Sequence, residues 1–333
     1  MANTINWGKI YESTYWGNTD NNISWGKAYA DLAGVVPALV SEFVSRVEAD
    51  GGSVESTECM STDLTFLVNN PEPVAFTGLL NDYSGAAAAY SLRLLDNTYS
   101  GNAIKVRRSS DNAEQDIAFV NNELDTASLE TFAGSGDAFV TTWYDQSGNG
   151  NNSTQTTAAS QPQIVSSGTI YMLNSKPAIS GNGLKQLDIS TELNIPNDFF
   201  IATTLQYDAH TMILGSNTDT INFLFSASLT QYRARIAGFT GYFSQNALAL
   251  NTQYNSNVFK VGNSVDHSRN GELNGVQTGF TGRTFKINTI MNGYISTNYA
   301  LSGYAQEIII WESDQSSNRT GIETNINDFY SIY

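Results

Sequence analysis

The stretch TTWYDQSGNG at residues 141–150 joins an apolar strand segment directly to a turn that is rich in Gly, Asn and Ser. Threonine and aromatic residues favour strands, whereas Gly, Asn and Ser favour turns, so this pattern predicts a strand that ends near Trp143. Asp145 stands where the turn begins. We expect its side chain to hold the turn at residues 147–149 through hydrogen bonds to the backbone.

Four further segments lie upstream, close enough in sequence to belong to the same domain. They are AYSLRLL at 89–95, YSG at 99–101, IKVRRSSDN at 104–112 and QDI at 115–117. With the first stretch, they resemble the start of the sandwich domain of the type B α-L-arabinofuranosidases, a domain that many phage and prophage proteins also carry. The resemblance covers roughly residues 83–165. By helix propensity and by this resemblance, residues 86–95 are expected to form a helix.

Short segments typical of strands, separated by turns, continue to the C-terminus, as expected for two antiparallel sheets packed face to face. The pair Asn270-Gly271 predicts a tight hairpin. The segment GYAQEIIIW at 303–311, followed by helical spacing within 317–333, resembles the end of laminin-G and concanavalin-like domains. We therefore predict a mainly β chain with a concanavalin A-like antiparallel β-sandwich, or jelly roll, at residues 83–333.

The N-terminal part differs from the rest. Trp-Gly pairs recur every nine residues at Trp7, Trp16 and Trp25, which predicts a short extended or hairpin arm over residues 1–29. So short an arm cannot bury three indoles by itself, which favours packing against a partner over packing against the rest of the chain. We interpret these three tryptophans as particle-anchoring residues.

Residues 30–70 are expected to form a helical hairpin, because apolar residues recur at helical spacing and Gly51-Gly52 can end the first helix. The segment at residues 43–55 resembles a helical module of phage structural proteins. Packing of this hairpin on the sandwich without a partner fits equally well. The run NNPEP then predicts a linker at residues 71–82.

The formal net charge of −16 excludes some partners. Phosphate neutralisation needs clustered Lys and Arg, so we expect no nucleic-acid partner. The acidic balance also disfavours an anionic membrane surface, and no apolar run approaches the ~20 residues that span a bilayer. We expect no membrane partner.

No metal or other cofactor is predicted. Cys59 is the only cysteine, which excludes an intrachain disulfide and any site built from several cysteines. His210 and His267 lack a second ligand at metal-binding spacing. Some concanavalin-like and laminin-G domains bind calcium through Asp and Asn oxygens at the rim, but the loops of this chain match no defined ligand spacing, so calcium is not predicted.

The resemblance also allows the enzyme hypothesis to be examined. A retaining glycosidase needs two carboxylates about 5 Å apart. In the arabinofuranosidases the nucleophilic Glu lies in a Gly-rich loop close to an adjacent cysteine pair. The corresponding region here offers Glu192 and Asp198 around Pro196, without the glycines and without a cysteine pair. We therefore expect no catalytic residues and no enzymatic activity.

The favoured expectation is a non-enzymatic phage virion structural protein: a head fibre, a decoration protein or a tail-associated adhesin, displayed on the virion surface. Other virion proteins would hold the N-terminal arm, and the sandwich would bind a host-surface carbohydrate. Weak sugar sites gain from multivalency, so a homo-oligomer, and a trimer first, is expected. The start of the chain has neither a basic leader nor an apolar core, which predicts synthesis in the host cytoplasm without a signal peptide.

Two alternatives remain open: a structural cement protein without a ligand, and a free carbohydrate-binding protein or arabinofuranosidase-like glycoside hydrolase. Sugar binding would use aromatic rings that stack on the sugar and Arg side chains that donate to its hydroxyl groups. The candidate carbohydrate-binding residues are Tyr232, Arg233, Arg235, Phe239, Tyr242 and Phe243.

Overall fold

The computed structural model divides the chain into two compact units, residues 1–75 and residues 76–333. The first unit is described only at an antiparallel strand pair, in which Ser53 lies opposite Asn69 and Val54 opposite Val68. The predicted Trp-rich arm and the helices of the predicted hairpin lie outside the described residues. The second unit is described except at residues 183–184, 196, 208–210, 217, 219–221, 229–230, 245–248, 250 and 293–300.

Strands dominate the second unit, and with the pair in the first unit they are numbered in chain order. Their bounds are β1 Ser53–Val54, β2 Val68–Asn69, β3 Ala86–Ser91, β4 Ile104–Arg108, β5 Glu114–Ile117, β6 Phe119–Val120, β7 Glu123–Leu124, β8 Ala138–Trp143, β9 Ser153–Thr154, β10 Gln163–Ser166, β11 Thr169–Ile170, β12 Met172–Leu173, β13 Lys176–Pro177, β14 Ile179–Ser180, β15 Leu187–Ile195, β16 Phe199–Tyr207, β17 Thr211–Gly215, β18 Phe223–Ser228, β19 Gln231–Ile236, β20 Phe239–Ser244, β21 Thr252–Val261, β22 Ser264–Arg269, β23 Glu272–Thr278, β24 Phe285–Ile290 and β25 Gly303–Trp311.

Helices are few among the described residues. They are α1 Leu79–Asp82, α2 Thr126–Ala133 and α3 Arg319–Tyr330, with short 3-10 turns at Ala158–Ser160 and Ser316–Asn318. Asp125 caps α2, since its carboxylate accepts a hydrogen bond from the Ser128 amide at 3.0 Å. No described helix is long and apolar enough to cross a membrane.

The main sheet is antiparallel throughout its described pairings and folds into two faces. One face has the strand order β3-β25-β16-β21-β22-β23. The other runs β5-β4-β8-β9-β15-β24-β17-β18-β19-β20. Strands β10 and β14 connect the faces, because β10 pairs with both β8 and β14, and β14 pairs with β25. The predicted sandwich class is confirmed.

Strand β25 of the first face is buried on both sides, which explains its continuous apolar run. Ile308 and Ile310 lie in the core cluster between the two faces. Ile309 and Trp311 belong to a second cluster that contains the α3 residues Ile322, Ile326 and Tyr330. A strand that is covered on both sides carries successive apolar residues and not an alternating pattern. The predicted closing strand and C-terminal helix are both present.

Two local expectations have different outcomes. The Asn270-Gly271 hairpin joins β22 to β23, and both residues have positive φ, 50° and 81°, as a tight two-residue turn requires. The helix expected at residues 86–95 is wrong, because residues 86–91 form β3 against β25. A run of four alanines favours a helix locally, but here these small side chains fit a strand buried on both sides.

Candidate functional site

The turn after β8 is fastened by the carboxylate of Asp145, which is only 4% exposed. Its Oδ1 accepts hydrogen bonds from the backbone amides of Ala89 at 2.8 Å and Ser147 at 2.9 Å. Its Oδ2 accepts from the Ser147 hydroxyl at 2.8 Å and the Asn151 amide at 2.9 Å. The predicted turn-holding role of Asp145 is confirmed, and the same carboxylate also binds the turn to β3.

Amide side chains complete this attachment. Gln146 accepts from the Leu95 amide at 2.8 Å and donates to the carbonyl oxygens of Ser91 and Arg93 at 3.1 and 3.0 Å. Asn149 donates to the Ala86 carbonyl at 2.9 Å. The residues that make the motif distinctive are therefore structural, because their hydrogen-bonding groups are used inside the fold.

Beyond the turn, the chain leads to β15. The Ser190 amide donates to the Asn152 carbonyl at 3.1 Å, and β9 pairs with β15 so that Thr154 lies opposite Asp188. The Tyr90 hydroxyl donates to the Asn151 carbonyl. Burial, with the charge of Asp145 as the second cause, raises the pKa of Tyr90 well above its ordinary value, so this group is a neutral donor. The motif thereby fixes the position of β15.

Strand β15 carries two half-buried carboxylates, Asp188 just before an irregularity and Glu192 within it. Asp188 lies opposite Thr289 and Leu193 lies opposite Ile287, so the four residues between them face a single residue of β24. Such bulges re-aim side chains and often occur beside active sites. Glu192, inside the bulge, accepts hydrogen bonds from Lys286 Nζ at 3.2 Å and Asn288 Nδ2 at 3.5 Å.

A chain of side-chain amides ends at the other carboxylate. Gln186 Nε2 donates to Asp188 Oδ1 at 2.9 Å, and Asn292 Nδ2 donates to Gln186 Oε1 at 2.9 Å. Gln155 Nε2 donates to the Gln186 carbonyl at 3.4 Å. We call this group the β15 polar surface; its members are Gln155, Gln186, Asp188, Glu192, Lys286, Asn288 and Asn292. It presents two carboxylates among neutral donors and one ammonium group, which is chemistry suited to a sugar.

The sequence had drawn attention to Glu192 together with Asp198, but the structure gives these two carboxylates different partners. Asp198 accepts from the Gly262 amide at 2.7 Å and Lys260 Nζ at 3.5 Å, beside the turn between β21 and β22. The sequence analysis missed Asp188. The alternation of buried Leu187 and Ile189 around it predicts its outward position, so this residue could have been found.

The predicted carbohydrate-binding residues lie on one hairpin, formed by β19 and β20. In its register Arg233 is opposite Tyr242, and Tyr232 is opposite Phe243. The side chains of these four residues lie outside the described part of the structure. The site therefore stays a prediction.

The remaining two members of that set, Arg235 and Phe239, are half-buried. Phe239 packs edge-on against Phe280, with ring centroids 4.8 Å apart, and the Arg283 guanidinium lies 4.8 Å from its ring centre. The Phe239 ring is thus already partly covered by contacts within the protein.

Neither histidine supplies a described metal site. His210 lies outside the described residues, as do Trp7, Trp16 and Trp25. His267 is fully buried and its Nε2 lies 3.0 Å from the Ser256 hydroxyl. Burial, and then the nearby charge of Arg269, lowers the pKa of His267 to about 3. The described residues contain no group of three or more His, Cys, Asp or Glu side chains that could hold a metal ion.

Comparison with known proteins places these features in a family context. Residues 82–187 match the family model described as the catalytic domain of alpha-L-arabinofuranosidase B. The match contains the fastened turn and ends at the first residue of β15. A search of curated proteins found no match.

Solved structures of arabinofuranosidases share the fold. One, complexed with arabinofuranosyl-alpha-1,2-xylobiose, superimposes with a TM-score of 0.55 at 17% identity over 72% of this chain. A second, soaked with a cyclic sulfate inhibitor, gives 0.53 at 18% identity. A third, a mutant soaked with 4-nitrophenyl α-L-arabinofuranoside, gives 0.54 at 17%. Each superposition again covers 72% of this chain. The chain spans 62% of the length of each of these proteins.

These findings correct the expected function. A non-enzymatic virion structural protein was favoured, but the part of the chain with the distinctive motif matches a family of catalytic domains. The matches to arabinofuranosidases give no support to a head-fibre or decoration role. The expectation of no enzymatic activity is contradicted by the same match. Over residues 82–187 the chain is thus similar to the arabinofuranosidase B catalytic domain, and its sandwich has the fold of that domain.

Proposed function

We propose that residues 76–333 form the catalytic sandwich of an arabinofuranosidase-like glycoside hydrolase that acts on α-L-arabinofuranosides. The observation that carries the proposal is the match of residues 82–187 to the arabinofuranosidase B catalytic domain. The common fold of the three arabinofuranosidase structures supports it. The substrate class is taken from the ligands of those structures.

Glycoside hydrolysis requires one carboxylate that either attacks the anomeric carbon of the sugar or activates a water molecule. It also requires one carboxyl group that protonates the leaving oxygen. In our proposal Glu192 is the nucleophile, because Lys286 and Asn288 both donate hydrogen bonds to its carboxylate and hold it in place. Asp188, four residues before Glu192 on the same bulged strand, is the proton donor. Gln186 and Asn292 hold its position and supply amide groups for sugar hydroxyls.

One departure from the resembled family bears on the substrate contacts. The nucleophilic Glu of those enzymes lies close to an adjacent cysteine pair, and this chain has a single cysteine, Cys59. Contacts to the sugar beside the nucleophile must therefore come from groups other than a cysteine pair. In our proposal the amides of the β15 polar surface provide them.

The proposal is tested by incubating the full chain with 4-nitrophenyl α-L-arabinofuranoside and measuring nitrophenol release. We expect turnover by the wild type, and a fall in kcat of about 10²–10⁴-fold in Asp188→Asn. Asp111→Asn serves as a control, since Asp111 pairs with Arg108 on the surface, and we expect its kcat to be unchanged. Absence of wild-type turnover would overturn the hydrolase proposal. Arabinoside binding without turnover would favour the alternative of a free carbohydrate-binding protein.

Several earlier expectations are independent of this test and stay predictions. They are a partner for the N-terminal arm among virion proteins, a host-surface glycan ligand, a trimeric assembly and a location on the virion surface. No nucleic-acid and no membrane partner are proposed.

A further inference from the structure

Two cationic side chains flank one aromatic ring near the β15 polar surface. The Arg107 guanidinium lies 5.1 Å from the centre of the Phe139 ring, and Lys185 Nζ lies 5.9 Å from the same centre. Arg107 of β4 is opposite Phe139 of β8 in the register, whereas Lys185 precedes the start of β15 by two residues. We call these three residues the basic cluster. None of them belongs to the β15 polar surface.

Strand pairing places the basic cluster and Asp188 on the same side of the sheet. A cross-strand row of directly opposed residues links β4 to β15; its members are Lys105, Thr142, Thr154 and Asp188. Arg107 is two positions after Lys105, so it shares this side, and the intervening Val106 points into the core. Lys185 is three residues before Asp188, which an extended backbone spans in at most about 11 Å. A short oligosaccharide can therefore reach both.

A chain of buried amides also connects the basic cluster to the proposed proton donor. Arg107 Nε donates to Gln161 Oε1 at 2.7 Å, and Gln161 Nε2 donates to the Gln155 carbonyl at 2.9 Å. Gln155 Nε2 donates to the carbonyl of Gln186, the residue whose side chain holds Asp188. Gln155 and Gln161 are each less than a tenth exposed. The position of the guanidinium is thus fixed relative to β15.

The hydrogen bonds that the structure describes for the two cations go to uncharged oxygens. Arg107 donates to a second amide oxygen, that of Asn112, at 2.9 Å, although Glu114 is opposite Arg107 in the register. Lys185 Nζ donates to the Ala159 carbonyl at 2.6 Å. These contacts orient both side chains and leave their charges in place.

The two cations also influence each other. Burial, and then the positive charge of Arg107, lowers the pKa of Lys185. A carboxylate beside the ammonium group would act in the opposite direction. An anionic group bound between Arg107 and Lys185 would relieve their repulsion and accept charge-assisted hydrogen bonds from both. Because the whole chain carries a net charge of −16, such a ligand would be held by this local positive charge alone.

The surroundings favour an acidic sugar over a free inorganic anion. An inorganic anion would use only the two charges. A sugar unit with a carboxylate would also place its carbon-bound hydrogens on the Phe139 ring, which is half-buried and offers an apolar surface. Its neighbouring sugar units could extend along the sheet towards Asp188.

We propose that the basic cluster binds the carboxylate of a uronate unit in the same saccharide whose arabinofuranosyl group reaches β15. Arg107 and Lys185 donate to that carboxylate, and the sugar ring contacts Phe139. Naming this substrate class rests on the proposed hydrolase function, whereas the binding of a uronate does not. The protein then prefers arabinofuranosides that are carried by acidic saccharides over those carried by neutral ones.

The test is a titration of the ¹⁵N-labelled full chain with D-glucuronate, D-galacturonate, D-glucose and sulfate at constant ionic strength, followed by NMR. We expect saturable shifts of the Lys185 backbone amide and of the Arg107 Nε–H signal with at least one uronate, and none with D-glucose. Lys185→Met should weaken that binding by about tenfold, because it removes one charge-assisted hydrogen bond.

A second variant and a matched control accompany Lys185→Met. Arg107→Gln removes the other charge and keeps an amide that can donate to Gln161, and we expect it to weaken uronate binding by a similar factor. Lys176→Met is the control. It changes the net charge by the same amount as Lys185→Met, but Lys176 pairs with Glu123 and lies beside α3, over the ring of Phe329. It should bind uronates like the wild type.

Absence of saturable shifts with both uronates would overturn the proposal, as would equal binding by the wild type, Lys185→Met and Arg107→Gln. Sulfate that binds as tightly as either uronate would also overturn it, because the site would then hold a free anion and not a sugar. Turnover of 4-nitrophenyl α-L-arabinofuranoside is measured on the same wild-type sample. Turnover without uronate binding would contradict this inference alone, whereas uronate binding without turnover would contradict the hydrolase proposal.

Discussion

At the scale of single residues, Asp145 shows how a distinctive motif can serve the fold. Its carboxylate accepts four hydrogen bonds in a buried position, and one of the donors, the Ala89 amide, lies on another strand, β3. A carboxylate that is so well supplied with donors has little capacity left to act on a substrate. In our proposal the catalytic groups lie elsewhere, on β15, and the motif positions that strand.

We predict that Asp145→Ala destabilises the protein by about 3 kcal/mol or more, because it leaves buried amides without an acceptor. Asp96→Ala is the matched control. Asp96 makes the same local contacts, accepting from the Thr98 amide and hydroxyl at 2.7 Å, but at an exposed position, so we expect a loss of about 1 kcal/mol or less. Urea unfolding curves of both variants give these values. Equal losses would contradict the structural role assigned to Asp145.

A second residue, His267, makes a prediction about pH. Its pKa is about 3 in the folded protein, against an ordinary value of 6.5, because the imidazole is buried. The unfolded chain therefore takes up the proton first as the pH falls. The stability that neutral His267 contributes is complete above pH 6.5 and is lost progressively between pH 6.5 and pH 3.

The loss due to this residue should be about 2 kcal/mol between pH 7 and pH 5. We expect the pH dependence of unfolding free energy to be shallower by that amount in His267→Gln. Comparing slopes removes the contributions of the carboxyl groups and of His210, which both proteins share. If NMR shows the imidazole of His267 titrating near pH 6.5 in the folded protein, this prediction is refuted.

At the scale of elements, a buried ion pair connects two strands with the C-terminal helix. Arg93, which follows β3, donates to Glu307 of β25 through Nε at 2.8 Å and through a terminal nitrogen at 3.0 Å. Its other nitrogen donates to Asn325 of α3 at 2.9 Å. Both charged side chains are less than a tenth exposed. The geometry is bidentate, which is the favourable arrangement for such a pair.

Removing one charge of this pair leaves the other buried without compensation. We predict that Arg93→Met costs about 3–5 kcal/mol, and that Arg93→Met with Glu307→Leu is closer to the wild type than the single variant. Arg108→Met, which breaks the exposed pair with Asp111, should cost far less than Arg93→Met. Denaturant titrations measure all three. A double variant that is less stable than the single one would show that the pair itself stabilises the fold.

The elements also show which parts of the fold the sequence could predict. The β22–β23 hairpin and α3 followed from local rules: positive φ at Asn270-Gly271 and helical spacing of Ile322 and Ile326. The strand at residues 86–91 did not follow from local rules, because its alanines favour a helix and only the pairing with β25 makes these residues a strand. Tertiary pairing overrides local propensity at such a position.

At the scale of the whole molecule, the sandwich was predictable but the candidate site was only partly so. Glu192 was considered from its place in the sequence, together with Asp198, but no catalytic role was expected for either. Asp188 and the amides of Gln186 and Asn292 became visible only when the β15–β24 register brought residues about 100 positions apart together. Sites that depend on long-range strand pairing leave little local pattern, whereas the motif that positions them is contiguous and distinctive.

The central claim is that Glu192 is the nucleophile of an arabinofuranoside-cleaving site on β15. The most direct test incubates the full chain with an arabinofuranose-configured cyclic sulfate, the class of inhibitor present in one of the similar structures. Attack by a carboxylate would form an ester bond to the anomeric carbon and break its bond to the sulfate oxygen. Mass spectrometry of the tryptic fragment 186–233 then locates the adduct. Our account predicts an adduct on Glu192 that is absent in Glu192→Gln; an adduct on another carboxylate, or no adduct on the wild type, would contradict it.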